Sequence, residues 1–185
     1  MHAYFQGIIS SIESLPQERI EECFAILCEA YRDGKQVFTF GNGGSAATAI
    51  HFAADLNKTT ITNPQAPRFQ ARSLAENISL FSAWANDTDY EKVFTEQLVS
   101  FLNPGDVVVA ISGSGNSPNV VSAVQHAREN GATTIGLCGF DGGKLGQVAE
   151  VAVVCANDDM LQIEDLHSIV CHYLTWRLRE ALPRL

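Results

Sequence analysis

The segment Ser112-Gly113-Ser114-Gly115-Asn116-Ser117 follows the apolar run Val107 to Ile111 and leads into Pro118. A strand that empties into such a loop and then a helix offers free backbone N–H groups at the positive end of the helix dipole. Three hydroxyls add neutral donors, and the glycines let the backbone approach a ligand closely. This chemistry suits a phosphate monoester. The segment has no GK[ST] lysine and does not match GxGxxG spacing, so no nucleotide cofactor is expected. Ser117 alone could cap the helix, but a cap needs neither the other serines nor both glycines. Gly41-Asn42-Gly43-Gly44-Ser45 is a second backbone-exposing turn before a helix. By itself it also suits a plain tight strand–helix connection.

His51 and Asp55 stand four apart on the helix leaving that second loop, hence on one face. Glu164 and His172, eight apart in the closing helix, also share a face, separated by two turns. Two imidazoles and two carboxylates suit either a zinc site or an acid–base pair. His167 competes as a ligand but sits less well on that face. Asn86-Asp87 falls between two helical stretches, where capping is the ordinary use and binding of sugar hydroxyls the functional one.

The elements that must position these groups read as follows. The first 35 residues are helical, with Pro16 at a first helical position and Gly34 as the stop. Strands are expected at Val37 to Phe40, Phe69 to Leu74, Val107 to Ile111, Thr133 to Leu137 and Val151 to Cys155. Helices are expected from Ala46 to Leu56, Ile78 to Ala85, Tyr90 to Leu102, Pro118 to Asn130 and Asp159 to Leu182. Alternating strands and helices imply a parallel sheet covered on both faces. The fold class is therefore α/β, a three-layer sandwich with a five-stranded parallel sheet. In the order 2-1-3-4-5, the two loop-bearing strands are neighbours and share one crevice.

The 185 residues are 46% hydrophobic and 18% charged, the composition of one ordinary globular domain. The expected division is a helical segment 1–35, an α/β core 36–158 and a C-terminal helix 159–185. No apolar run is long enough for a membrane span, and the first residues lack the pattern of a signal peptide. A net charge of −9 disfavours nucleic acid and anionic membranes as partners. The five cysteines, an odd number without CxxC spacing, read as reduced, buried thiols of a cytoplasmic protein.

These motifs together resemble the sugar isomerase (SIS) family, and within it the phosphoheptose isomerases. The carriers are Gly41 to Ala47, His51-Phe52-Ala53-Ala54, Ala85-Asn86-Asp87, Ser112 to Ser117, and Glu164-Asp165-Leu166-His167 with His172. The resemblance covers nearly the whole chain. It implies the SIS fold and interconversion of sedoheptulose 7-phosphate with a heptose 7-phosphate. It further implies that Asn42, Gly43, Gly44, Ser45, Asn86 and Asp87 contact the substrate, and that Ser112, Gly113, Ser114 and Ser117 hold its phosphate. His51 and His172 match the family's zinc histidines. Asp55 stands where the family usually has Glu, and Glu164 where it has Gln. Metal ligation by His51, Asp55, Glu164 and His172 is expected, with Asp55 or Glu164 as catalytic base and His172 as its acid or relay partner. Glu164 also belongs to the expected substrate contacts. Isomerisation of another phosphosugar, binding of a replication initiator and sensing of sugar phosphates are the alternatives.

The closing helix carries Ile163, Leu166, Ile169, Val170, Tyr173, Leu174, Trp176 and Leu178, more than one apolar stripe. Surplus apolar surface of this kind is expected to be buried between copies. The resemblance implies a homotetramer with active sites at subunit boundaries, where Glu164 or His172 would face a neighbour's loops.

Overall fold

The computed structural model describes residues 2–184. Met1 and Leu185, the ends of the expected helical segments, lie outside the described residues. Five parallel strands, β1 (Gln36–Gly41), β2 (Gln70–Ser73), β3 (Val107–Ser112), β4 (Thr133–Gly139) and β5 (Val151–Cys155), form one sheet of order β2-β1-β3-β4-β5. Central β3 is buried at every position, as a strand covered on both faces must be.

Alternation along the strands divides the core. Val37, Val109 and Ile111 face one way, and Phe38, Phe40, Val108 and Ala110 the other. The first face is covered by α2 (Gln17–Arg32), α3 (Gly44–Ala54) and α8 (Met160–Ala181), with α1 (Ala3–Glu13) packed on α8. The second is covered by α4 (Ile78–Asp87), α5 (Thr95–Phe101), α6 (Pro118–Glu129) and the short α7 (Leu145–Val148).

Three differences from the sequence reading have physical causes. The N-terminal helical segment is two helices, and Pro16 is the N-cap of α2, outside its first turn. Proline has no N–H to continue α1's hydrogen bonding, so the chain turns there. The helix expected from Tyr90 to Leu102 is a 3₁₀ turn at Tyr90–Lys92 followed by α5. The surplus apolar surface of α8 is covered largely by its own chain. Ile163, Leu166, Val170, Leu174 and Leu178 are buried among the sheet and neighbouring helices, while Trp176 stays out at 53% exposure, as do Met160 and Leu161 in the first turn. A cluster of exposed apolar side chains lies on α1, at Phe5, Ile9 and Ile12.

All five cysteines are free, and four are buried; Cys28 is half-buried. Burial pushes the thiols of Cys23, Cys138 and Cys155 up to about 12, which leaves them protonated and unreactive. Among the described residues no helix is long and apolar enough to cross a membrane.

Candidate active site

Gly41 pairs with Ile111 in the β1–β3 register, so the two glycine loops leave the sheet side by side. In the first, Gly43 takes a left-handed conformation at φ +54 and starts α3. In the second, the chain turns back on itself through Gly115, whose N–H donates to the Ser112 carbonyl at 2.9 Å. Ser117 is the N-cap of α6, but its side chain caps nothing. Instead the Ser112 hydroxyl donates to the Ser117 hydroxyl at 3.3 Å. Ser114 accepts from the Asn116 N–H at 3.2 Å. Ser45 and Ser112 are buried, whereas Asn42, Ser114 and Ser117 are half-buried.

Asn42 is gripped from two sides. Its carboxamide exchanges two hydrogen bonds with that of Asn119, each 2.9 Å long. Tyr90 donates its hydroxyl proton to Asn42 Oδ1, also at 2.9 Å. Neither Asn119 nor Tyr90 is singled out by the sequence reading as a functional residue. Asn119's position directly after the serine loop and Pro118 was the available signal. Asn86 and Asp87 are exposed at the C-terminal end of α4, shortly before Tyr90, where Asn86 Nδ2 donates to Asp87 Oδ1 at 2.8 Å. They cap no N-terminus. The cap of α4 is Asn77, which accepts from the Leu80 N–H at 3.1 Å. A carboxylate at the negative end of a helix does not stabilise it, so helix stability does not account for Asp87.

The alanine-rich α3 lets α8 approach closely, and the two helices run in the same direction. Glu164 lies over Gly44, Ser168 meets Thr48 at 3.5 Å, and His172 meets His51 and Asp55. The Glu164 carboxylate sits so near Gly44 that an added Cβ would fall 2.5 Å from both its oxygens. It thus occupies the positive end of α3's dipole.

Two turns further along, His51 Nε2 and His172 Nε2 stand 3.7 and 3.8 Å from Asp55 Oδ2. The rings meet edge-on, centroids 5.0 Å apart. Asp55 begins a π-helical turn, Asp55–Thr59, and Thr59 donates to its other oxygen at 2.8 Å. That bond orients Oδ2 toward the imidazoles, as an outer-shell partner does. The Asp55 side chain is 13% exposed, whereas those of His51 and His172 are 62% and 57% exposed. Thr48, Phe52, Ser168 and Cys171 complete the lining of a cavity of about 10 Å³ beside them, room for one water-sized occupant.

His51, Asp55 and His172 form a possible metal-binding group, their donor atoms all within 4.8 Å of one another. Tetrahedral zinc with bonds of about 2.0–2.1 Å needs donors about 3.4 Å apart. Small side-chain adjustments close that gap, so the donor set fits. Glu164 is not in this group. Eight residues separate it from His172, about 12 Å of helix, and its carboxylate reaches the opposite end of α3. His167 is not in it either, being buried with both ring nitrogens unpartnered.

A SIS domain family model matches residues 2–139. Phosphoheptose isomerases from Trichlorobacter lovleyi and Helicobacter pylori are 38% and 37% identical, over 84% and 93% of this chain and 79% and 88% of theirs. A solved phosphoheptose isomerase from Neisseria gonorrhoeae superposes with a TM-score of 0.87 at 29% identity, covering 95% of each chain. One from Francisella tularensis gives 0.88 at 24% identity, over 96% of this chain and 93% of that one, and shows the shared fold. The chain belongs to the SIS domain family, in its phosphoheptose isomerase branch.

Proposed function

We propose that this chain, an isomerase of phosphorylated sugars by family, interconverts sedoheptulose 7-phosphate and D-glycero-D-manno-heptose 7-phosphate through an enediol. The observation that carries this reading is the in-step packing of α3 and α8. It aligns a carboxylate, then a hydroxyl pair, then the imidazole cluster, along a line that starts at the glycine loops.

Ser112, Gly113, Ser114 and Ser117, with the first N–H groups of α6, take the phosphate. Asn42, Gly43, Gly44, Ser45, Asn86 and Asp87 take the sugar oxygens. Holding the chain at both ends turns proton transfer into a positioned, unimolecular event. Glu164 is assigned as base. Its side chain makes no hydrogen bond among the described residues, while Asp55 already serves Thr59 and both imidazoles. The two departures from the family pattern then compensate: Asp55 withdraws a carboxylate by one methylene, and Glu164 supplies one at the loop.

Starting from the ketose, Glu164 takes a proton from C1 while water gives one to the C2 oxygen, with His172 as relay partner, forming the enediol. Glu164, after exchange with solvent, delivers a proton at C2 as the O1 proton passes to water, leaving the aldehyde at C1. A zinc ion held by His51, Asp55 and His172 would polarise the sugar's carbonyl and hydroxyl oxygens. His172 Nε2 faces Asp55, which leaves Nδ1 for the relay. The exposed apolar face of α1 supports assembly into a homotetramer, and a cytoplasmic location is part of the same reading.

The test is incubation with a panel of ketose phosphates followed by NMR, with divalent metal added or chelated. The expected result is an aldehyde-derived signal from the seven-carbon substrate and solvent deuterium at C2. No conversion of any sugar phosphate would leave a binding protein in place of an isomerase.

A further inference from the structure

We propose that Asn119 and Tyr90 lock the Asn42 carboxamide so that it meets the sugar only as a hydrogen-bond donor, making Asn119 a positioning residue of the reaction. This rests on the isomerase reading above. A carboxamide oxygen accepts two hydrogen bonds and its nitrogen donates two. Asn42 Oδ1 receives the Asn119 Nδ2 and Tyr90 hydroxyl protons, so both its lone pairs are used. Asn42 Nδ2 gives one proton to Asn119 Oδ1, and its second N–H has no partner among the described residues. That free donor belongs to a residue lining an open depression of about 420 Å³ with Gly43, Ala47 and Tyr90.

The lock is rigid at both anchors. Asn119 is 2% exposed in the first turn of α6, where turning its amide would strand buried polar atoms. Tyr90 packs edge-on against Phe81, ring centroids 5.7 Å apart, and Phe81 packs on Phe94. Phe94 in turn stacks on Phe40 of β1. The orientation of one loop side chain is thereby tied to the core of the sheet. A donor is what a sugar carbonyl oxygen accepts, and accepts more strongly as negative charge develops on it. An amide turned the other way would set a carbonyl oxygen against it.

The experiment is steady-state kinetics of wild type, Asn119→Asp and Tyr90→Phe on sedoheptulose 7-phosphate, with melting temperature recorded for each. Asn119→Asp keeps the shape but offers only acceptors, so Asn42 Oδ1 loses a donor, meets a carboxylate oxygen instead, and is no longer held in one orientation. The expected result is kcat at least tenfold lower, with KM and competitive inhibition by inorganic phosphate within about twofold of wild type. The kcat of Asn119→Asp relative to wild type should rise as pH falls, because the introduced carboxyl, once protonated, again donates. Tyr90→Phe keeps the ring stack and removes one bond, so a several-fold loss confined to kcat is expected. Wild-type kcat in Asn119→Asp, or a loss matched by its unfolded fraction, overturns the lock alone. A wild type that turns over no ketose phosphate overturns the isomerase reading and the lock with it.

Discussion

Thr48 and Ser168 face each other hydroxyl to hydroxyl at 3.5 Å, and their numbers differ by 120. Gly44 and Glu164, one turn earlier on each helix, differ by the same 120. The parallel register of α3 and α8 therefore sets which side chain reaches the loop and which reaches the imidazoles.

Gly44→Ala tests that register. Gly44 has ordinary helical geometry, so alanine suits the backbone, but its Cβ would displace the Glu164 carboxylate. We expect kcat to drop on the order of 10²-fold, the usual worth of a general base, with no loss in melting temperature. Glu164→Gln should match it; full activity in Glu164→Gln would move the base to Asp55.

Removing both hydroxyls of the serine pair should weaken phosphate capture. Hydrogen bonds to charged groups contribute roughly 1.5–3 kcal/mol each, so Ser112→Ala with Ser117→Ala should raise KM on the order of 10²-fold or more. Calorimetric titration with the sugar phosphate is the check, and unchanged affinity would end the assignment.

Protein purified without chelator should carry about one zinc per chain, the expected occupancy of a three-donor site with an open position. Elemental analysis should show His51→Ala metal-poor, and Thr59→Val weakened about 10–100-fold in affinity through the lost support to Asp55. Full activity of metal-free protein in chelator would show that the cluster acts without an ion.

His167 gives a signed pH dependence of stability. Burial holds its imidazolium well below the usual histidine range. Below about pH 6.5 the unfolded chain takes up a proton that the folded chain refuses. Stability is thus intact above that pH and falls as pH drops, by up to about 1.4 kcal/mol per unit for one proton. His167→Gln should flatten the melting temperature between pH 7 and 5; an unchanged slope would assign the acid sensitivity elsewhere.

Light scattering at low concentration should give the mass of four chains. Phe5→Glu with Ile9→Glu, placed on the exposed face of α1, should lower that mass and the activity together. A fully active monomer would show that each site is complete within one chain.

The five strands were legible because their apolar runs must be buried on both faces, and the two glycine loops because their compositions have few other uses. Matching faces of one helix were legible too, since spacing determines them. Spacing does not say what a face meets. Glu164 and His172 share a face of α8, yet they serve opposite ends of α3. The Asn42–Asn119 pair joins residues 77 apart, so it leaves no periodic trace. Nor did the apolar wrap of α8 reveal that α1, α2 and α3 of the same chain would cover it.

Gly115, at φ +64, turns its α-carbon directly onto the Gly142 carbonyl, and a Cβ on Gly143 would strike the Ser114 carbonyl at 2.6 Å. The Leu145 N–H closes onto the Gly115 carbonyl at 2.8 Å. The serine loop is thus cast against the β4–α7 connection, with no space for a side chain on either surface. A library that randomises both segments should return glycine at 115 and 143 in every folded member and keep Asn116, whose side chain donates to the Ser114 carbonyl at 2.8 Å and accepts from the Lys144 N–H at 3.2 Å. Substrate range can then be re-engineered at α4 and the Tyr90 turn, where side chains face open space, and hardly at all in the cradle itself.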